Sequence, residues 1–176
     1  MRKVFSILYV LFSAIFLWYL AIPGPTFPTP PSDASISHEP GDTEDPLRRA
    51  YFTNFTREEV MANYKNQFEK STLFGFKIPT YRLNYAPEEA QSIIRDQTRS
   101  TFLEEVVHPF RESVFINGFE PKEAKDAVVI NAVQWRQKIT VRFVPSGLIV
   151  RLVVGLLTVI MVFVLFRDFT NGKKRN

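Results

Sequence analysis

Two uninterrupted apolar stretches, residues 4–22 and 148–166, bracket this chain. Each matches the roughly 20 residues that a helix needs to cross the hydrocarbon core of a bilayer. A helix that is apolar on every side must be sheltered by lipid or by protein, so these stretches constrain the fold before anything else does. Residues 23–146 between them, 124 positions, leave room for one modest domain and a linker. The fold class expected is a membrane protein in which two transmembrane α-helices flank one compact α+β domain, with two helices on a mainly antiparallel sheet.

Basic residues in the short flanks set the expected orientation. Arg2 and Lys3 precede the first span, Arg167, Lys173, Lys174 and Arg175 follow the second, and no cation occurs between Ile22 and Arg48. The positive-inside rule then assigns a cytoplasmic head (1–3), a first span (4–22), an extracytoplasmic region, a second span (147–166) and a basic cytoplasmic tail (167–176). Arg136, Lys138, Arg142 and Arg151 oppose that rule from the outer side of the second span. The first span reads as an uncleaved anchor. Its apolar run exceeds a signal-peptide core, and no small-x-small site precedes Pro23. Trp18 and Tyr19 near its outer end suit the headgroup level, and Arg151, one turn inside the second span, is expected to snorkel to the same interface. The lipid bilayer is thus the first partner expected.

The net charge of +4 follows from this topology. Residues 23–146 hold 15 basic and 17 acidic side chains, so the domain carries no excess of cations for nucleic acid. There is no cysteine, which excludes disulfides, thiol chemistry and cysteine-based metal sites. A packed core must hold the domain, and 11 of the 17 phenylalanines lie between the spans. In the first span Phe5, Tyr9, Phe12, Phe16 and Tyr19 fall on one helical stripe, a packing seam for the second span or another chain.

Residues 23–47 are expected to form a Pro-rich acidic linker, with seven prolines in 23–46. Such a composition predicts an extended, mobile tether. Asp42, Glu44 and Asp45 do not make a calcium loop, because its glycine and distal glutamate are missing from the required positions.

The domain proper is expected over residues 48–146. Residues 49–53 suit a short strand, and Thr56 with Glu59 forms a capping box for a helix over 57–70, whose Val60, Met61, Tyr64 and Phe68 gather on one side. Residues 80–85 alternate as a strand. Pro87, Glu88 and Glu89 then open a second helix predicted to run through Ile93, Ile94, Phe102, Leu103 and Val106 to Pro109. A strand over 114–116 is expected to close at Asn117-Gly118, and residues 127–130 lead through Asn131-Ala132 into a last strand. That strand places Val133, Trp135, Gln137, Ile139, Val141 and Phe143 on one face and Gln134, Arg136, Lys138, Thr140 and Arg142 on the other. Only Pro145, Ser146 and Gly147 separate it from the second span, so the sheet is expected close to the membrane.

No spacing advertises an active site. Glu105 and His108 have the E-x-x-H spacing of a helical metal face, with Glu112 near the next turn and Glu104 beside them, but di-metal sites need that pair twice. His108 is better explained as a cap on the last helical carbonyls. No catalytic residue and no cofactor is expected, and a metal-assisted enzyme ranks third among the functions. Arg136, Lys138 and Arg142 form a possible interaction face toward anionic headgroups or an acidic partner. A small-ligand sensor or carrier is the second function, through a pocket lined by Tyr81, Tyr85, Phe102 or Trp135. The first is protein interaction or scaffolding at the cell envelope, with a protein partner or a homo-oligomer. A bacterial plasma membrane is favoured over the eukaryotic endoplasmic reticulum. The acceptor triplet Asn54-Phe55-Thr56 and the dilysine-like end Lys173-Lys174-Arg175-Asn176 would suit the latter.

Overall fold

The computed structural model describes residues 2–69, 72–73 and 76–172. Along it run α1 (Arg2–Ala21), β1 (Ser35–Ile36), the four-residue α2 (Pro40–Thr43), β2 (Arg48–Thr53), α3 (Arg57–Glu69), β3 (Thr72–Leu73), β4 (Phe76–Lys77) and β5 (Tyr81–Tyr85). They are followed by β6 (Phe102–Val107), β7 (Ser113–Phe119), β8 (Val128–Ile130), β9 (Val133–Trp135), β10 (Gln137–Val144) and α4 (Leu148–Gly172). The chain forms two compact units, Met1–Pro23 with Ser146–Asn176, and Gly24–Pro145. Lys70 and the tail residues Lys173, Lys174, Arg175 and Asn176 lie outside the described residues.

In the first unit α1 and α4 pack antiparallel. Phe5 stacks on Phe166 with ring centroids 4.1 Å apart, and Tyr9 lies 6.1 Å from Phe163. The Tyr9 hydroxyl donates to the carbonyl of Val159. Gly155 lets the helices close together, since a methyl group there would lie 2.4 Å from Leu20 Cδ1. The aromatic stripe of α1 therefore serves partly as the seam between the two helices; Phe12 is 71 % exposed and takes no part. Both helices contain windows long and apolar enough to cross a membrane, Val4–Ala21 and Leu148–Thr170.

The second unit is built on a six-stranded sheet in the order β1-β2-β10-β7-β6-β5, with every neighbouring pair antiparallel. Successive residues of a strand face opposite ways, so the sheet has two covered sides. On one, Tyr51, Val106, Val114, Ile116, Ile139, Val141 and Phe143 pack against Val60, Met61, Tyr64 and Phe68 of α3. On the other, Leu103 and Phe115 meet Ala90 and Ile94. The helix start has the expected reciprocal cap. Glu59 N–H donates to Thr56 Oγ1 at 3.2 Å and Thr56 N–H to Glu59 Oε2 at 2.7 Å, which holds the Glu59 carboxyl below its ordinary pKa.

The second long helix does not form. Residues 87–95 make a 3-10 turn and a single π turn, which end where Arg95 and Asp96 take left-handed backbone angles of φ 71° and 55°. The chain then enters β6, buried on both sides, whose near-continuous apolar content mimics helical spacing. Among its described residues the domain thus has one helix of ordinary length, α3, rather than two. Asn117-Gly118 closes nothing, because both residues lie inside β7. The predicted last strand is two: β9 pairs with β8 through the Asn131-Ala132 turn (φ 52° and 62°), and β10 joins the main sheet.

Residues 23–47 also depart from the expectation of a free tether. They contain little regular structure, as their prolines dictate, but from Gly24 onward they belong to the folded unit. Ser35–Ile36 adds a strand beside β2, and Phe27 meets Phe143 edge-on at 6.1 Å. Asp33 Oδ1 accepts from Thr53 Oγ1 at 2.6 Å and Oδ2 from the Asn54 N–H at 2.7 Å. Gln67 Oε1 accepts from the Thr29 amide at 2.8 Å. These polar links replace the apolar burial that the segment lacks. Asp33→Ala is expected to cost about 1–2 kcal/mol and to speed hydrogen exchange at the Ser37 amide, which bonds to the Ala50 carbonyl at 2.9 Å. Unchanged protection there would show that Asp33 does not hold the strap.

Candidate functional site

The acidic residues singled out around His108 are sorted by the strand they occupy. In β6, Glu104 and Glu105 point to opposite faces. Glu104, with no exposed surface, accepts from Arg57 Nε at 2.5 Å and from Arg82 Nε, while Arg57 Nη2 also donates to Asn84 Oδ1 at 3.0 Å. Glu105 accepts from the Tyr85 hydroxyl at 2.6 Å, and that bond chiefly raises the tyrosine pKa to about 12. The helical E-x-x-H face is therefore corrected: on a strand, positions three apart diverge, and Glu105 does not join His108. Nor is His108 a helix cap, since it follows β6 at the turn into β7.

His108 and Glu112 do come together. Main-chain bonds close the turn, from the His108 N–H to the Glu112 carbonyl at 3.0 Å and from the Arg111 N–H to the His108 carbonyl at 2.9 Å. His108 Nε2 then lies 3.9 Å from Glu112 Oε1, which Arg111 Nη2 holds at 2.7 Å. Gly24 lies against the same carboxylate; a methyl group there would be 3.0 Å from Glu112 Oε2. The imidazole is fully buried, stacked 5.3 Å from the Phe68 ring, with Nδ1 3.2 Å from the Pro79 carbonyl. Among the described residues no group of three or more histidine, aspartate or glutamate side chains could hold a metal ion.

Burial is the main influence on His108 and pushes its pKa below the ordinary value, outweighing the upward pull of the Pro79 carbonyl and of Glu112. The neutral ring is the folded form, with Nδ1–H donating to Pro79. The unfolded chain takes up this proton first, so the histidine's contribution is complete above about pH 6.5 and is lost as the pH falls toward the depressed folded value. The melting temperature is expected to fall between pH 7 and 5, and His108→Gln to flatten that slope. An identical slope in the variant would assign the acid sensitivity to other groups.

The three cations of the proposed interaction face are engaged within the domain. Arg136 pairs with Glu120 at 2.8 Å, Lys138 with Glu39 and Asp42 at 2.7 Å each, and Arg142 donates to the Ile93 carbonyl. The strap and the 87–96 turn cover the sheet face that the alternation left to solvent. The four aromatics of the proposed ligand pocket do not converge either. Phe102 lies in the α3-side core, Tyr85 on the other face, Trp135 in the β8–β9 hairpin, and Tyr81 is 57 % exposed. Trp18 is 43 % exposed and Tyr19 is half-buried. Arg151 is held at the outer end of the first span. It is 6 % exposed and its Nη2 donates to the Ile22 carbonyl at 3.1 Å, where a cation complements the C-terminal end of α1. The exposed Asn54 of the acceptor triplet accepts from the Arg136 N–H at 2.9 Å.

One feature with interaction chemistry was not singled out in the sequence. β5 is an edge of the sheet, five residues long, and among the described residues it pairs only with β6. Tyr81 and Leu83 stand on it at 57 % and 42 % exposure. The alternation of residues 80–85 signalled a strand, but a strand's position in its sheet has no local signature. No family model, curated protein or solved structure matches this chain.

Proposed function

We propose that this chain is a two-span membrane protein whose central domain binds another protein through the open β5 edge, as a subunit or scaffold at the cell envelope. The edge carries the reading. A strand with one free side offers a row of backbone donors and acceptors to an extended partner segment, and exposed side chains beside it supply specificity. The opposite edge, β1, is two residues long and offers much less. The membrane reading rests on two supports. Only 11 % of each apolar window is buried, whereas the core helix of a soluble protein is mostly covered. The basic flanks favour cytoplasmic termini and an extracytoplasmic domain, in a bacterial plasma membrane.

The test uses the full chain in mild detergent after crosslinking in its native membrane. A photoreactive side chain at Leu83 is expected to give a discrete adduct, absent when the same group is placed at Lys125 on the 124–126 turn. Leu83 crosslinking to lipid alone, or no adduct at all, would contradict the reading.

A further inference from the structure

A cavity of about 230 Å³ lies on the second face of the sheet, lined by Glu44, Asp45, Arg48, Ile94, Arg95 and Arg142. Three arginines line it from three separate segments, against two carboxylates. Arg48 is 8 % exposed, and although its Nη1 donates to the Gly41 carbonyl and its Nη2 lies 3.7 Å from Asp42, its Nε is buried with no hydrogen-bond partner among the described residues. A buried N–H of a charged group left unmatched is costly, and such groups are normally satisfied. Arg142 spends Nη1 on the Ile93 carbonyl, a single acceptor among the described residues for a group with five donors. Arg95 reaches the cavity from a left-handed backbone position and pairs at the rim with Glu44 at 2.9 Å, both side chains being more than half exposed. Exposed pairs of that kind are weak and exchange readily.

From this arrangement we infer that the cavity binds a small oxyanion, a carboxylate or a phosphate. Arginine forks match the planar or tetrahedral oxygens of such groups two at a time, and the lining sets three arginines against two carboxylates. The volume falls below the roughly 300–1,000 Å³ of ordinary ligand pockets, which suits a small anion and not a nucleotide. Glu44 and Asp96, the latter 3.3 Å from Arg95 Nε, occupy Arg95 in its absence, and Glu44 yields its Nη1 when the anion enters.

Calorimetric titration of the full chain in detergent with inorganic phosphate and, separately, with acetate tests this, at constant ionic strength maintained with chloride. Saturable binding of either supports the site, and the tighter of the two names the source. Arg95→Gln, at an exposed position that the fold tolerates, is expected to weaken binding at least tenfold, and Glu44→Gln to strengthen it severalfold by removing the competitor. Linear, unsaturable heats for both anions would overturn the inference, as would wild-type affinity in both Arg95→Gln and Arg142→Gln.

Discussion

Gly118→Ala is expected to destabilise the central domain by about 3 kcal/mol, a fall of roughly 10 °C in its melting temperature. The added methyl group would lie 1.9 Å from Phe102 Cε1 and 2.2 Å from Cζ, distances that no contact sustains. Gly118 and Phe102 face each other across β7 and β6, so the phenyl ring occupies the space that a side chain at 118 would take. The ring has little freedom to retreat. It is 3 % exposed, belongs to the α3-side core, and carries the Arg57 guanidinium 5.2 Å from its centroid. The clash is therefore relieved by shifting strands or core, and a double-mutant cycle isolates it: in a Phe102→Leu background the cost of Gly118→Ala should drop by at least half. An additive cycle, or a Gly118→Ala variant as stable as the parent, would remove the ring as the reason for the glycine.

Glu104→Ala is expected to cost about 3 kcal/mol and to lower the urea midpoint without changing its slope. The carboxylate has no exposed surface and bridges two cations, Arg57 from the first turn of α3 and Arg82 from β5, so it joins the helix to the edge strand. Taking it away strands two guanidinium groups beside the core. The arginine side chains are 35 % and 43 % exposed, so water reaches them and the cost belongs at the lower end of that for breaking a buried pair. Glu104→Gln keeps the shape and loses the charge, and should cost less than the alanine variant. Replacing all three by apolar residues, Arg57→Met, Arg82→Met and Glu104→Leu, should regain most of the loss. A Glu104→Ala variant within 1 kcal/mol of the parent would show that the bridge contributes nothing measurable.

Where local chemistry decides, residues and structure agree. The Thr56–Glu59 box starts α3 at Arg57, as the pattern dictates, and the polar–apolar alternation of β10 puts Ile139, Val141 and Phe143 into the core. Where structure and pattern part, partners distant in the chain decide. Phe102, Leu103, Val106 and Val107 suit a buried strand as well as a helix, and only tertiary partners decide between them: Arg82 and Arg57 on one side of Glu104, Tyr85 on Glu105. The proline-rich strap is fixed in the same way. Its composition excludes a core of its own, but Asp33, Phe27 and Thr29 attach it to neighbours 20 residues or more away in sequence. The β5 edge and the arginine-lined cavity depend on strand order and on three distant segments, so no local spacing could have announced either.

The proposed topology puts both chain ends on one side of a membrane and residues 24–145 on the other. A chain without cysteine permits a direct measurement. Single substitutions Lys125→Cys and Asp168→Cys, at side chains 73 % and 65 % exposed, are probed with a membrane-impermeant maleimide in intact and permeabilised cells. Lys125→Cys should label in intact cells and Asp168→Cys only after permeabilisation. Labelling of both sites in intact cells, or the reverse pattern, would contradict the account.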